Sequence, residues 1–162
     1  MWLSKRRTVL AGLAALTLTA CGFTPVYGPQ GSGGPLQGSI KLNAPETRDS
    51  YQFNRRFEER MGHAANPLYD LKVELKTSEL GQGATSSGNT TRFRVNGHAS
   101  YSLSQDKAVL LTGKTSAFTG YSNTGSTVAT MAAQRDAYER LMIILADQVI
   151  DDLILQADDL PR

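Results

Sequence analysis

The chain has 162 residues, 40% hydrophobic and 20% charged, with one cysteine and a formal net charge of +2. That length suits one domain with a core of its own, and a single thiol excludes a scaffold stapled by internal disulfides. So small a net charge gives no blanket basic surface for nucleic acid.

Lys5, Arg6 and Arg7 precede the uncharged apolar run Thr8–Leu18, the order of a signal peptide's positive and hydrophobic regions. A helix that crosses and stays in a bilayer needs roughly 20 apolar residues, so this run is too short to remain as a span. It ends in Leu18-Thr19-Ala20-Cys21, an apolar residue, two small ones and a cysteine. This fits the lipobox of exported bacterial lipoproteins, in which the thiol receives a diacylglyceryl group. A buried, inert cysteine is the alternative. The reading gives a signal peptide over 1–20, a lipidated N-terminus and flexible tether over 21–38, and a single α+β periplasmic domain over 39–162. Arg6-Arg7 leaves twin-arginine export open beside the general secretory route. Gly22, in place of an aspartate, favours the outer membrane. Acyl chains contribute about 0.8 kcal/mol per buried methylene, and several chains together hold a protein on the bilayer.

Cleavage changes the charge account. Without Lys5, Arg6 and Arg7 the mature chain has 14 basic and 15 acidic residues, a net −1. Gly22–Gly38 is rich in glycine, proline and serine and reads as the tether. Gly38–Asn43 alternates, with Ile40 and Leu42 on one side, and reads as a short strand ended by Pro45. Thr47 or Asp49 can cap a helix to Met61, where Phe53, Phe57 and Met61 recur every fourth residue. Gly62 and Pro67 stop it.

Leu68–Thr77 alternates cleanly. Tyr69, Leu71, Val73 and Leu75 form a dry face; Asp70, Lys72, Glu74 and Lys76 form a wet one. Gly81–Asn89 reads as a turn. In Thr91–Ser104, Phe93, Val95, Ala99, Tyr101 and Leu103 point inward, and Arg92, Arg94, Asn96, His98 and Ser100 outward. Asp106-Lys107 turns into a fourth strand, Val109–Thr119, of less clear sidedness, and Gly120–Gly125 reads as a loop. A final helix, Ser126–Gln156, carries Tyr138, Leu141, Met142, Leu145, Val149 and Leu153 on one stripe, with Ile143, Ile150 and Ile154 beside it. The predicted architecture is two helices packed on one face of a four-stranded, mostly antiparallel sheet, in the order β-α-β-β-β-α.

Chemistry-bearing patterns are sparse. Once Cys21 is acylated no thiol remains as nucleophile. His63 and His98 lie in separate elements without local Cys or His companions, which argues against zinc. Ser86, Ser87 and Ser122 have no G-x-S-x-G elbow. The stretch Gly81–Gly88 is glycine-rich but lacks the Gly-Lys-Ser/Thr ending of a phosphate loop. Asp151-Asp152 and Asp158-Asp159 are sequence neighbours whose side chains diverge, unlike an acid/base dyad. The expectation is a binding protein, with no catalytic residues, no metal and no cofactor.

The mature start, Cys21-Gly22-Phe23-Thr24-Pro25-Val26-Tyr27-Gly28, resembles the CGF-x-P-x-Y-G opening of the LptE family of lipopolysaccharide-assembly lipoproteins, in its alphaproteobacterial form. Looser matches are Tyr69-Asp70-Leu71, Thr91-Arg92, Ala99-Ser100-Tyr101 and the run Ala132–Arg140. The resemblance implies a non-catalytic outer-membrane lipoprotein on the periplasmic side. Its implied partners are the LptD β-barrel, which it would plug and help assemble, and lipopolysaccharide (LPS). Cys21 carries over as the lipid site.

Arginine offers a planar fork to oxyanions and lysine a point charge. Arg92 and Arg94, with Lys72, Lys76 and Lys114 on neighbouring strands, are therefore candidate LPS contacts; ordinary solvation of a wet face is the alternative. Two other roles remain, an auxiliary lipoprotein of an ABC-type lipid transporter and a general envelope-assembly lipoprotein.

Overall fold

The computed structural model of the protein describes residues 34, 36–84 and 90–160. The elements follow the predicted order: β1 (Ile40–Leu42), α1 (Arg48–Met61), β2 (Tyr69–Ala84), β3 (Thr90–Gln105), β4 (Ala108–Ser122) and α2 (Thr127–Leu155), then a 3₁₀ turn at Ala157–Asp159. The sheet order is β1-β2-β3-β4. β1 runs parallel to β2, with Ile40 beside Tyr69, while β2–β3 and β3–β4 are antiparallel, so the sheet is mixed. Both helices lie on one face of it.

Local chemistry explains the punctuation. Thr47 is the N-cap of α1: the Ser50 amide donates to Thr47 Oγ1 at 3.1 Å and the Thr47 amide to Ser50 Oγ at 2.9 Å. This reciprocal pairing satisfies two amides that the first turn leaves without partners. Gly62 ends α1 at φ 79, where a side chain would be strained. Asp106 and Lys107 both have positive φ, 50 and 71, in a two-residue loop between the paired Gln105 and Ala108. Positive φ at both central residues is the hairpin geometry that matches the twist of the flanking strands.

The alternation read from the sequence becomes the core. Phe53, Phe57 and Met61 from α1, Leu141, Leu145, Val149 and Leu153 from α2, and Leu71, Val95 and Leu103 from the sheet are each at most 1% exposed. Burying such a side chain contributes about 1.5–3 kcal/mol. α2 comes close to β3 because position 97 is glycine: a Cβ there would stand 2.9 Å from methyls of Leu141 and Leu145. Ile150 and Ile154 are buried, so the second apolar strip belongs largely to the core.

Charges fasten α1 to α2. Arg55 meets Glu139 at 2.9 Å, Arg56 meets Asp147 at 2.9 Å, and Arg60 meets Asp147 at 3.1 Å and Asp151 at 3.0 Å. The partners ascend together in sequence, so the two helices run in the same direction. Arg56 grips Asp147 through both Nε and Nη2. Burial pushes the Asp147 carboxyl up; hydrogen bonds and charge from Arg56 and Arg60 outweigh it and hold the group below its ordinary value.

Three positions that composition groups with the tether, Leu36–Gly38, are part of the fold. Leu36 is 2% exposed, and the Gly38 amide donates to the Met61 carbonyl at 2.7 Å. Cys21 and the rest of the tether, Gly34 apart, lie outside the described residues.

Candidate functional site

The strand registers assemble the face of the sheet that the helices leave open. Along β2 it presents Asp70, Lys72, Glu74, Lys76, Ser78, Leu80 and Gln82. The cross-strand rows run Gln82–Arg92–Ser122, Leu80–Arg94–Gly120, Ser78–Asn96, Lys76–His98–Ser116 and Glu74–Ser100–Lys114. All five candidate cations, Arg92, Arg94, Lys72, Lys76 and Lys114, therefore share one face. They do not form one cluster.

Arg92 and Arg94 stand at one end of it, where β2 and β3 reach beyond the predicted strand limits of Thr77 and Thr91. They line a cleft of about 500 Å³ with Gln82, Phe118, Gly120 and Ser122. The Arg94 guanidinium carbon sits 3.7 Å over the centroid of the Phe118 ring. Stacking on an aromatic face attracts a cation and holds its planar fork in one orientation. Arg94 Nε is shielded from solvent and has no hydrogen-bond acceptor among the described residues. Phe118 is 60% exposed and Leu80, in register with Arg94, is 58% exposed. The same end of the sheet thus combines two guanidinium groups with apolar surface, a composition suited to an anionic amphiphile.

Beneath the cleft, on the helix side, the strands are locked. Phe93 and Tyr121 stack with centroids 5.1 Å apart. The Tyr121 hydroxyl donates to Glu79 Oε1 at 2.7 Å, and Glu79 Oε2 accepts from Gln134 at 3.0 Å and from Tyr138 at 3.4 Å. One carboxylate on β2 therefore ties β4 and the first half of α2 together. Burial and the neighbouring Glu79 push the Tyr121 phenol up to about 12, so it stays a hydrogen-bond donor across the physiological range.

The lysines sit elsewhere. Lys72 pairs with Glu74 at 3.1 Å. It is eight residues along β2 from Leu80, the partner of Arg94, or ~26 Å at the rise of a strand. Lys72 and Lys76 line a different cleft with Glu46, Thr47 and Glu74, where cations and carboxylates are balanced. Lys114 shares a row with Ser100 and Glu74. His98 is exposed beside Lys76, and His63 lies 3.6 Å from Glu58. Among the described residues no group of three or more His, Cys, Asp and Glu side chains is arranged to hold a metal, and no helix is long and apolar enough to cross a membrane.

Phe118, Leu80 and Tyr121 are the site residues that the sequence reading missed. Their signal lay in β4, where Gly113, Gly120 and several threonines blur the alternation, and in Leu80, which looked like the edge of a turn.

A sequence profile of the lipopolysaccharide-assembly LptE family matches residues 38–153. Comparison with curated protein sequences finds no match. Among solved structures, a lipoprotein from Caulobacter crescentus superposes with TM-score 0.65 at 21% identity, covering 81% of this chain and 98% of the other. Lipoprotein B from Nitrosomonas europaea gives 0.57 at 14% identity, covering 80% and 88%. Rare lipoprotein B from Shewanella oneidensis gives 0.51 at 13%, covering 75% and 92%. At these identities the likeness is one of fold.

Proposed function

We propose that this chain, which belongs to the lipopolysaccharide-assembly LptE family, is a non-catalytic lipoprotein anchored through Cys21 to the periplasmic side of the outer membrane. There it partners and plugs the LptD β-barrel, assists its assembly, and binds LPS on its way to the cell surface. The match over 38–153 carries this reading, since it spans nearly all of the folded domain. The lipobox ending at Cys21 supports the anchor. The Arg92–Arg94 cleft supports the ligand: phosphate or carboxylate groups on the glycolipid meet two guanidinium forks, while Phe118 and Leu80 offer apolar contact.

Pull-down of the lipidated chain from detergent-solubilised outer membrane tests the reading. The expected result is co-purification of a large, heat-modifiable β-barrel together with LPS. Recovery from the inner membrane with a permease would instead assign the chain to an ABC-type lipid transporter, and envelope proteins without that barrel would favour a general assembly role.

A further inference from the structure

β4 forms one edge of the sheet, and its outer side is a row of hydrogen-bonding groups that no strand among the described residues covers. The Asn123 amide donates to the Thr91 carbonyl at 2.8 Å, and Arg92 lies in register with Ser122. In an antiparallel ladder this makes Arg92–Ser122 a non-hydrogen-bonded pair. Even-numbered residues of β4 from Thr112 onward therefore turn their N–H and C=O groups away from β3. Gly120 is one of them, and its carbonyl accepts from Arg140 of α2 at 3.2 Å. The open stretch runs over Thr112, Lys114, Ser116 and Phe118.

The two edges of this sheet differ. Beyond β1, the β2 edge is guarded: the Val73 amide donates to the Asn43 side chain at 2.9 Å, and Lys72, Glu74, Lys76 and Glu79 follow along the strand. Charges and side-chain caps of this kind prevent edge-to-edge pairing. β4 has 15 residues, no proline, and Lys114 as its one charge. Its bulge, at Leu110 where the register shifts between Leu103 and Ser104, adjoins the Thr112 end of the open stretch and leaves Lys114–Phe118 in regular register with β3. On α2, Ile144 lies one helical turn from Arg140, which reaches Gly120, and one turn from Gln148, which accepts from Thr115 at 2.6 Å. Ile144 thus overhangs the same edge, and it is 37% exposed.

We propose that the β4 edge between Thr112 and Phe118 is a docking site for one extended strand of a partner polypeptide, which adds to the sheet as a fifth strand. The partner strand carries apolar residues on the helix side, where they cover Ile144, and an acidic residue on the open face beside Lys114. Arg140 on the Gly120 carbonyl sets the end of the added strand. Main-chain hydrogen bonds supply the affinity and the alternate side chains the selectivity. This inference does not depend on the LPS reading.

The test uses the whole chain in detergent micelles and a blocked nine-residue peptide of alternating threonine and valine with a central glutamate. The peptide binds saturably, and amide exchange at Lys114 and Ser116 slows by about tenfold or more, as newly hydrogen-bonded amides do. Ser116→Pro abolishes binding while leaving the β3–β4 pairing intact, because that amide faces outward. Lys114→Glu weakens binding by roughly two- to fivefold, the size of a cross-strand charge pair, and a lysine-centred peptide reverses the preference. No binding, binding unaffected by Ser116→Pro, or exchange changes on the β2 edge would overturn the proposal. So would amides that slow with protein concentration in the absence of peptide, which would make the occupant a second copy.

Discussion

The ring of Tyr101 on β3 lies across Gly113 of β4, its register partner, and its hydroxyl donates to Asp152 of α2 at 3.2 Å. Burial and the Asp152 carboxylate push the phenol up to about 12, so it remains a donor. The contact exists because position 113 has no side chain: a Cβ there would overlap the Tyr101 phenol. Gly113→Ala is expected to cost about 1–3 kcal/mol, the range for overpacking a well-filled site. A denaturant midpoint equal to that of the parent would show that the ring moves aside freely.

Asp147 makes stability depend on acid. Its folded pKa is depressed by Arg56 and Arg60, so the stabilisation is complete above the unfolded value of about 3.9 and disappears as pH falls through the folded value. Asp147→Asn should therefore lower the melting temperature by a constant amount from neutral pH down to about pH 5, and the gap should close below about pH 4. A gap of equal size at pH 3 would mean the ion pairs contribute nothing measurable.

Ligand affinity should separate the arginines from the lysines. Reversing Arg92 and Arg94 to glutamate is expected to weaken LPS binding about tenfold or more, and the difference should shrink in high salt. Lys72→Glu, at a cation already paired with Glu74 and remote from the cleft, should change it far less. Comparable losses at all three positions, with the domain folded, would spread the contact over the whole face.

The two-residue hairpin at Asp106-Lys107 offers a gain. Lys107 holds φ 71, a conformation that disfavours a side chain by roughly 1 kcal/mol. Lys107→Gly should raise the midpoint by a few tenths of a kcal/mol to about 1 kcal/mol, part of the relief being offset by a freer unfolded chain. A lower midpoint would indicate that the Lys107 side chain makes a stabilising contact.

Cys21→Ser should abolish palmitate incorporation and release the protein from the membrane fraction. Continued attachment without label would remove the lipid anchor from the proposed function.

Periodicity made most of the fold legible. Tyr69, Leu71 and Val73 on β2, Val95, Ala99 and Leu103 on β3, and the stripe Leu141–Leu153 on α2 were readable because one dry face imposes a period on each element. Strand lengths were not. Gly81 and Gly83 look like a turn, yet Gly81 pairs with Phe93 and Gln82 with Arg92, because the partner strand, not local preference, extends β2. The cleft was half legible: alternation put Arg92 and Arg94 on the open face, but placing Phe118 under Arg94 needs the β3–β4 register. Spacing along each strand likewise could not tell that Lys72 stands far from the arginines.

The seam between β1 and β2 also decides how the molecule yields to tension. Any pull on the residues ahead of Leu36 meets Leu36, the Gly38–Met61 hydrogen bond and then β1, a strand of three residues, whereas β2 and β3 pair with each other at fourteen positions. A tug from that end would peel the short strand away and leave the long hairpins standing. The arginine cleft, carried wholly by β2, β3 and β4, would keep its shape while the chain's leading end gave way.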